Sequence, residues 1–507
     1  MEVLADLAQG FAVAATPTNL LFILIGVTLG QILGALPGIG PSAGMALLLP
    51  ITYGLNPVTA IMMLAGIMYG GMYGGTLTSV LVNVPGEAAS VMTAVDGHQL
   101  ARRGRAGAAL SIAAIGSFLA GMAAVTALVF VTPALAEFAL RFNAPEYFLL
   151  AAIGISAAAS LGSGSAVKAL IAAMLGLMIA LVGIDPILGV ARLTFGEVRL
   201  LEGIDFLPVA IGVFGVAEVL VSLERRREMQ PIRTRLRDLW LSAQDWAECR
   251  LAVLRGGLVG FGVGLMPGAG PTVASLLAYV TERKFSRHPE RFGHGALDGV
   301  AAAESANNSA AHGALVPMLA LGIPGSASTA VLLAALILQG IRPGPMLMSE
   351  QAPLFWGLIA SMFIGNLYLI VMNLPLAPVF ASLLRIPYDY LAAGILVVSL
   401  VGSYAINLSL FPVALTLLFG MVGYLMIKVD LPRPPLVLAV VLAPLMETSL
   451  RQSLMLSEGS LLILVERPLS AVLLVILIAS LTMPLATALR RRRRRAVPST
   501  GGGVPLG

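Results

Sequence analysis

Apolar residues in this chain fall in long blocks rather than in the short alternations of a half-buried surface. Blocks near 18–36, 57–82, 107–135, 146–162, 166–188, 204–223, 251–266, 299–322, 352–380, 387–407, 409–427, 435–449 and 468–489 are candidate membrane segments. Several exceed the roughly 20 apolar residues that cross a bilayer as a helix. The pattern predicts an all-α polytopic membrane protein with about 10–13 transmembrane or re-entrant helices. Two blocks end on the same phrase: Gly34-Ala35-Leu36-Pro37-Gly38-Ile39-Gly40-Pro41-Ser42 returns 230 positions later as Gly264-Leu265-Met266-Pro267-Gly268-Ala269-Gly270-Pro271-Thr272. Proline removes a backbone donor and glycine loosens the backbone, so both phrases break a helix at membrane depth.

A second echo, Val84-Pro85-Gly86-Glu87-Ala88-Ala89-Ser90 against Ile323-Pro324-Gly325-Ser326-Ala327-Ser328-Thr329, is offset by 239. Two ordered pairs at nearly equal offsets predict two repeats, each with a broken helical hairpin. Paired interruptions of this kind point to a transporter's central binding site. The basic clusters Arg102, Arg103, Arg105 and Arg283, Lys284, Arg287, Arg291 do not occupy equivalent repeat positions, which favours inverted orientations. The organisation read from this is a first repeat half at 1–223, a basic cytoplasmic loop at 224–250, a second half at 251–489 and a basic cytoplasmic tail at 490–507.

Composition agrees: 58% of the 507 residues are hydrophobic, 11% are charged, and mean hydropathy is +0.92. The net charge of +5 resides mostly in loops and in the run Arg490 to Arg495. Beside a membrane span, that run reads as cytoplasmic retention and contact with the lipid bilayer rather than as a nucleic-acid site. No basic residue precedes the first apolar block, so the n-region of a cleavable signal peptide is missing. The single cysteine, Cys249, is expected as a free thiol in a polar stretch, and the four histidines, expected at loops or helix ends, show no metal-ligand spacing.

The candidate chemistry clusters at the breaks. Pro37, Gly38, Gly40, Pro267, Gly268 and Gly270 would shape the hairpin tips. Helices starting at Ser42 and Thr272 would aim free N–H groups at the broken region, where a carboxylate can bind without a buried cation. Pro85 and Gly86, with Pro324, Gly325 and Ser326, mark the second pair of breaks. Asn83, Asn307 and Asn308 are costly in lipid and are expected to orient an anion. Thr78, Asn83, Glu304, Asn308 and Ser309 supply oxygens suited to Na⁺, and Glu87 is expected at the membrane interface, capping a helix start. A membrane-embedded enzyme acting on a lipid or small molecule is the alternative class. It needs a nucleophile–base pair or metal ligands, and no such spacing is present.

The ordered set Leu36-Pro37-Gly38-Ile39-Gly40-Pro41, Tyr69-Gly70-Gly71-Met72-Tyr73-Gly74-Gly75, Asn83-Val84-Pro85-Gly86-Glu87, Asp96-Gly97, Gly104-Arg105-Ala106-Gly107, Gly183-Ile184-Asp185-Pro186, Ala210-Ile211-Gly212-Val213-Phe214-Gly215, Glu304-Ser305-Ala306-Asn307-Asn308 and Gly322-Ile323-Pro324-Gly325-Ser326 resembles the large permease subunit of tripartite tricarboxylate transporters, the TctA family. It spans about residues 20 to 450 and departs at Ala303, where the family often has proline. The resemblance implies a bacterial inner-membrane permease that works with a small four-helix membrane subunit and a periplasmic substrate-binding protein. It implies import of a carboxylate such as citrate by a secondary process, typically Na⁺ symport, with no cofactor. The chain lacks a Walker A phosphate loop, so it is not read as an ATPase.

Overall fold

The computed structural model describes residues 2–36, 40–161, 166–185, 187–224, 232, 239–383 and 388–495. The described residues are overwhelmingly helical; their only strands form a two-residue antiparallel ladder, Gly183–Ile184 against Ala191–Arg192. Seven described helices are long and apolar enough to cross a membrane, and shorter apolar helices accompany them. The all-α polytopic reading therefore holds.

Each half opens with a helical hairpin followed by a companion helix. The first hairpin is Pro17–Ala35 and Pro41–Leu48, with tip residues Pro37, Gly38 and Ile39 outside the described residues. Its companion is Pro57–Val82, started by Asn56 accepting the Val58 amide (3.0 Å) and stopped by Asn83 in the left-handed region at φ 59°. The second hairpin is Ala243–Gly264 and Gly270–Phe285, and its companion is Leu297–Gly313, continued by Leu315–Leu321. A capping box of Ser242 and Asp245 starts this hairpin seven residues before the polar stretch 224–250 ends. Cys249 therefore lies on a helix, free but buried rather than in a polar loop.

The repeat is written into the packing. A Cβ on Gly26, Gly30 or Gly34 would come within 2.2, 2.5 and 2.2 Å of the Met63, Ile67 and Gly71 carbonyl oxygens. In the second half Gly256, Gly260 and Gly264 stand in the same relation to Ala302, Ala306 and Ala310, at 2.5, 2.4 and 2.6 Å. Every glycine has moved by 230 positions and every facing residue by 239, the offsets of the two motifs. Hairpin and companion thus run parallel with their backbones in contact, which only side-chain-free positions permit. The two companions pass each other in opposite senses: Tyr69 stacks on His312 (centroids 5.8 Å apart), and Thr76 donates to Glu304 (2.8 Å). As one chain rises the other falls, so the repeats are inverted.

One end of the molecule collects basic residues. Arg105 pairs with Asp245 (2.5 Å), Arg291 with Glu248 (3.1 Å), and the Ile232 amide bonds Leu81 at the end of the first companion. The second hairpin enters from this end and the first from the opposite one. At the opposite end Asp185 accepts the Ile187 and Leu188 amides (both 2.9 Å) and a fork from Arg451 (3.0 and 2.7 Å). The Leu188 amide first, with Ile187 and Arg451, holds its carboxyl down at about 2. A depressed folded-state pKa adds stability that is complete above the unfolded value, about 4 for Asp, and is lost as pH falls through the folded one. Exchange protection of the Ile187 and Leu188 amides is therefore expected to persist down to pH ~4 and to vanish towards pH ~2; amide hydrogen exchange against pH checks this.

Candidate binding cavity

Between the starts of the second hairpin arms, Pro41–Leu48 and Gly270–Phe285, a cavity of about 610 Å³ opens, large enough for a small organic acid. Five helix starts line it: Gly40–Pro41, Glu87–Ala88, Ala269–Gly270, Ser326–Ala327 and Pro432–Arg433. Two are capped by their own side chains, Glu87 with Ser90 and Ser326 with Thr329. The starts at Gly40, Ala269 and Pro432 line the cavity and carry no side-chain cap, so the N–H groups their first turns do have are not engaged by a capping oxygen. Unsatisfied N–H groups at the positive end of a helix are a ready site for an anion. Losing the Ser326 cap by Ser326→Ala is expected to cost about 1 kcal/mol, seen as a lower melting temperature of the purified protein.

The third uncapped start is unusual. Pro432, Pro434 and Pro435 have no N–H, so Arg433 is the single backbone donor of that first turn, and it adds a guanidinium. A cation at a helix start opposes the dipole, so its position serves something other than the helix. The guanidinium donates to the Val213 carbonyl (3.2 Å), pairs with Glu218 (3.1 Å) and lies over the Phe214 ring at 5.7 Å. The charged residues lining the cavity are Glu87, Glu218, Asp430 and Arg433.

Behind the Glu87 wall lies a buried polar layer on the second companion. Asn307 donates to Glu87 (3.0 Å). Glu304, 1% exposed, accepts from the hydroxyls of Thr76 and Thr93, and no Lys or Arg among the described residues pairs with it. On the other face Asn308 donates to Ser117 (2.7 Å), while His312 joins the Asn308 carbonyl (2.7 Å) to the Asn366 amide (3.2 Å). The Oδ1 atoms of Asn307, Asn308 and Asn366 and the Ser305 hydroxyl are buried without a protein partner. Such acceptors call for water or another ligand.

The structure brings Gly40, Ser42, Pro85, Gly86, Gly268, Gly270, Thr272 and Ser326 to the cavity wall. Pro37 and Gly38 lie outside the described residues. Asn83 does not reach the cavity: its left-handed backbone ends a helix and its side chain is exposed. Pro267, Pro324 and Gly325 stand outside the lining, and Gly325 instead lets its break pack on Ala314, whose Cβ would lie 2.8 Å from an added Cβ. Asn307 is one hydrogen bond behind the wall, through Glu87. The oxygens expected to hold an ion do not form one cluster: Thr78 bonds the Gly75 carbonyl (3.1 Å), Ser309 the Gly257 carbonyl (2.7 Å), and Asn308 faces Ser117, away from the Glu304 carboxyl. Glu87 caps a helix start as expected, but on the cavity wall rather than at an interface. His312 lies in the last turn of Leu297–Gly313, at a helix end as expected, and it is fully buried there. Sequence reasoning missed Arg433, Glu218 and Asn366. A basic residue among prolines at a helix start, and a lone polar residue within an apolar helix, were the available signals.

Residues 20–438 match the Tripartite tricarboxylate transporter TctA family. The 52.8 kDa protein in the TAR-I ttuC' 3'region of Agrobacterium vitis is 45% identical over 493 residues, 97% of this chain and 98% of that protein. The protein in the TAR-II ttuC' 3'region of the same organism is 42% identical over 231 residues, 46% of this chain and 96% of that protein. No solved structure matches the chain.

Proposed function

Because the chain belongs to the tripartite tricarboxylate transporter TctA family, a family of transporters and not enzymes, we propose that it imports a carboxylate across the bacterial inner membrane, driven by a cation gradient. It is the large, multi-pass membrane subunit of such a system, whose other members are in general a small membrane subunit and a periplasmic binding protein. In this reading the binding protein delivers the acid at the end bearing Asp185, and the basic end and C-terminus are cytoplasmic by the excess of Lys and Arg there. The observation that carries it is the convergence of three uncapped helix starts and Arg433 on one cavity between inverted hairpins. Carboxylates suit both kinds of donor.

Cation coupling follows from the same wall. Three acidic side chains against one guanidinium make the cavity a poor host for a bare polyanion, so the acid is best accommodated together with cations. Glu304, with the Thr76 and Thr93 hydroxyls, is the oxygen set at which the coupling ion, Na⁺ by the resemblance, would be held. Labelled citrate, dicarboxylates and aromatic acids are the probes, offered to proteoliposomes holding this chain and its small membrane partner, with and without binding protein. Uptake of one acid that needs both the binding protein and an inward Na⁺ gradient is the expected result. Uptake driven by a pH gradient alone would replace Na⁺ with a proton, and no uptake of any acid under either gradient would sink the proposal.

A further inference from the structure

We propose that Glu218 is a built-in stand-in for one substrate carboxylate, occupying Arg433 in the empty cavity and yielding it when the acid binds. The inference rests on the carboxylate reading above and names the residue that sets which acids the cavity accepts. Four observations carry it. Glu218 and Arg433 both line the cavity, and their 3.1 Å contact is of the type a substrate carboxylate would make. The guanidinium is held by groups other than Glu218, the Val213 carbonyl at 3.2 Å and the Phe214 ring at 5.7 Å, so it stays aimed at the cavity when its carboxylate partner changes. The two residues sit on different segments, Glu218 on Ala217–Glu224 and Arg433 at the start of Arg433–Leu456, so their contact is not imposed by neighbouring positions on one helix. The other uncapped helix starts, at Gly40 and Ala269, lie on the same wall and are free to take the remaining charge of a polyvalent acid.

The chemistry is an exchange of partners with no covalent change. The acid's carboxylate takes the Arg433 N–H groups, and the Glu218 carboxylate swings off. Before the acid binds, the half-buried guanidinium is then never left without a carboxylate partner. Selectivity follows, because a neutral amide or ester cannot displace a carboxylate from an arginine fork, while an acid with a free carboxylate can.

The test is a thermodynamic cycle on the full-length chain in lipid nanodiscs, with the acid identified by the uptake screen as probe and its fully amidated, uncharged derivative as control. Glu218→Gln removes the competitor, and the expected result is about tenfold tighter binding of the acid, with no gain for the uncharged amide. In an Arg433→Gln background the same Glu218→Gln change should give no gain, since there is nothing left to compete for. Glu218→Asp, whose shorter arm weakens the pair, should lie between wild type and Glu218→Gln, and it keeps the test open if the glutamine variant does not fold. Unchanged or weaker binding by a folded Glu218→Gln protein, or an equal gain in both backgrounds, would overturn the proposal. If wild type binds none of the acids, the carboxylate reading itself has failed, which is a separate outcome.

Discussion

Arg433→Gln is expected to weaken acid binding roughly 10- to 100-fold, the worth of one charge-assisted hydrogen-bonded contact of about 1.5–3 kcal/mol. The effects that oppose this are smaller. Removing a cation from a helix start relieves a dipole conflict of only about 0.3–1 kcal/mol, and the Phe214 contact is worth about 1 kcal/mol at a partly exposed site. The remaining cavity donors are backbone N–H groups, which no side-chain substitution deletes, so binding should weaken rather than disappear. Arg433→Lys keeps the charge but loses the planar fork, and it should fall between wild type and glutamine. Because Arg433 also pairs with Glu218 (3.1 Å), a loss of folding must be separated from a loss of affinity. The Arg433→Gln/Glu218→Gln double variant does so: it removes both charges together, and it should recover melting temperature without recovering affinity. Calorimetric titration of each purified variant checks the order, and wild-type affinity in a folded Arg433→Gln protein would remove the residue from the site.

Gly260→Val is expected to leave almost no folded protein. An added Cβ would lie 2.4 Å from the Ala306 oxygen and 2.6 Å from its Cα, contacts with backbone that cannot rotate away. Inserting single methylenes into a packed interior costs about 1–3 kcal/mol, and valine adds three carbons at a point where two helices touch, so a cost of at least ~3 kcal/mol follows from the same principle. Gly30→Val, its counterpart 230 residues earlier, should behave alike, because a Cβ there meets the Ile67 oxygen at 2.5 Å. A position two residues on, on another face of the same helix, supplies the control: Gly262 has open space around its missing Cβ, so Gly262→Val should express and migrate as wild type. Size-exclusion profiles of tagged variants in mild detergent compare the three. Equal yields for Gly260→Val and Gly262→Val would mean that the glycine ladder does not hold hairpin to companion.

What could be read from the sequence was the backbone chemistry. Proline and glycine act through what they remove, so Leu36-Pro37-Gly38 and Met266-Pro267-Gly268 announced breaks without any knowledge of neighbours, and their repetition announced the duplication. Side-chain destinations were less legible. Asn83 looked like a ligand because amides are costly in lipid, yet it ends a helix in the left-handed region at φ 59°, a role asparagine takes more readily than most residues. Asn308 and Ser309 are adjacent in sequence but face different helices, Ser117 and Gly257 respectively, so no single ion cluster forms from them. Arg433 stayed hidden because its partners, Val213, Phe214 and Glu218, lie more than 200 positions away. Only the inverted packing of the halves brings them together.

The nine-residue difference between the two repeat offsets arises between hairpin and companion. In the first half, residues 49–56, which include the short 3-10 turn Leu49–Gly54, join the two; in the second half the join is residues 286–296 and the hairpin arm before it is longer. The shorter join carries no charge, whereas the longer one contains Arg287 and Arg291. Two halves with matched helices packed in opposite senses are nearly balanced as topology signals, since each would insert as readily either way up. In the orientation proposed above, the extra segment adds to the basic side that the stretch 224–250 and the run Arg490 to Arg495 also mark, and basic residues are retained on the cytoplasmic side during insertion. A loop that contributes nothing to the cavity would thereby help to set which way the cavity faces.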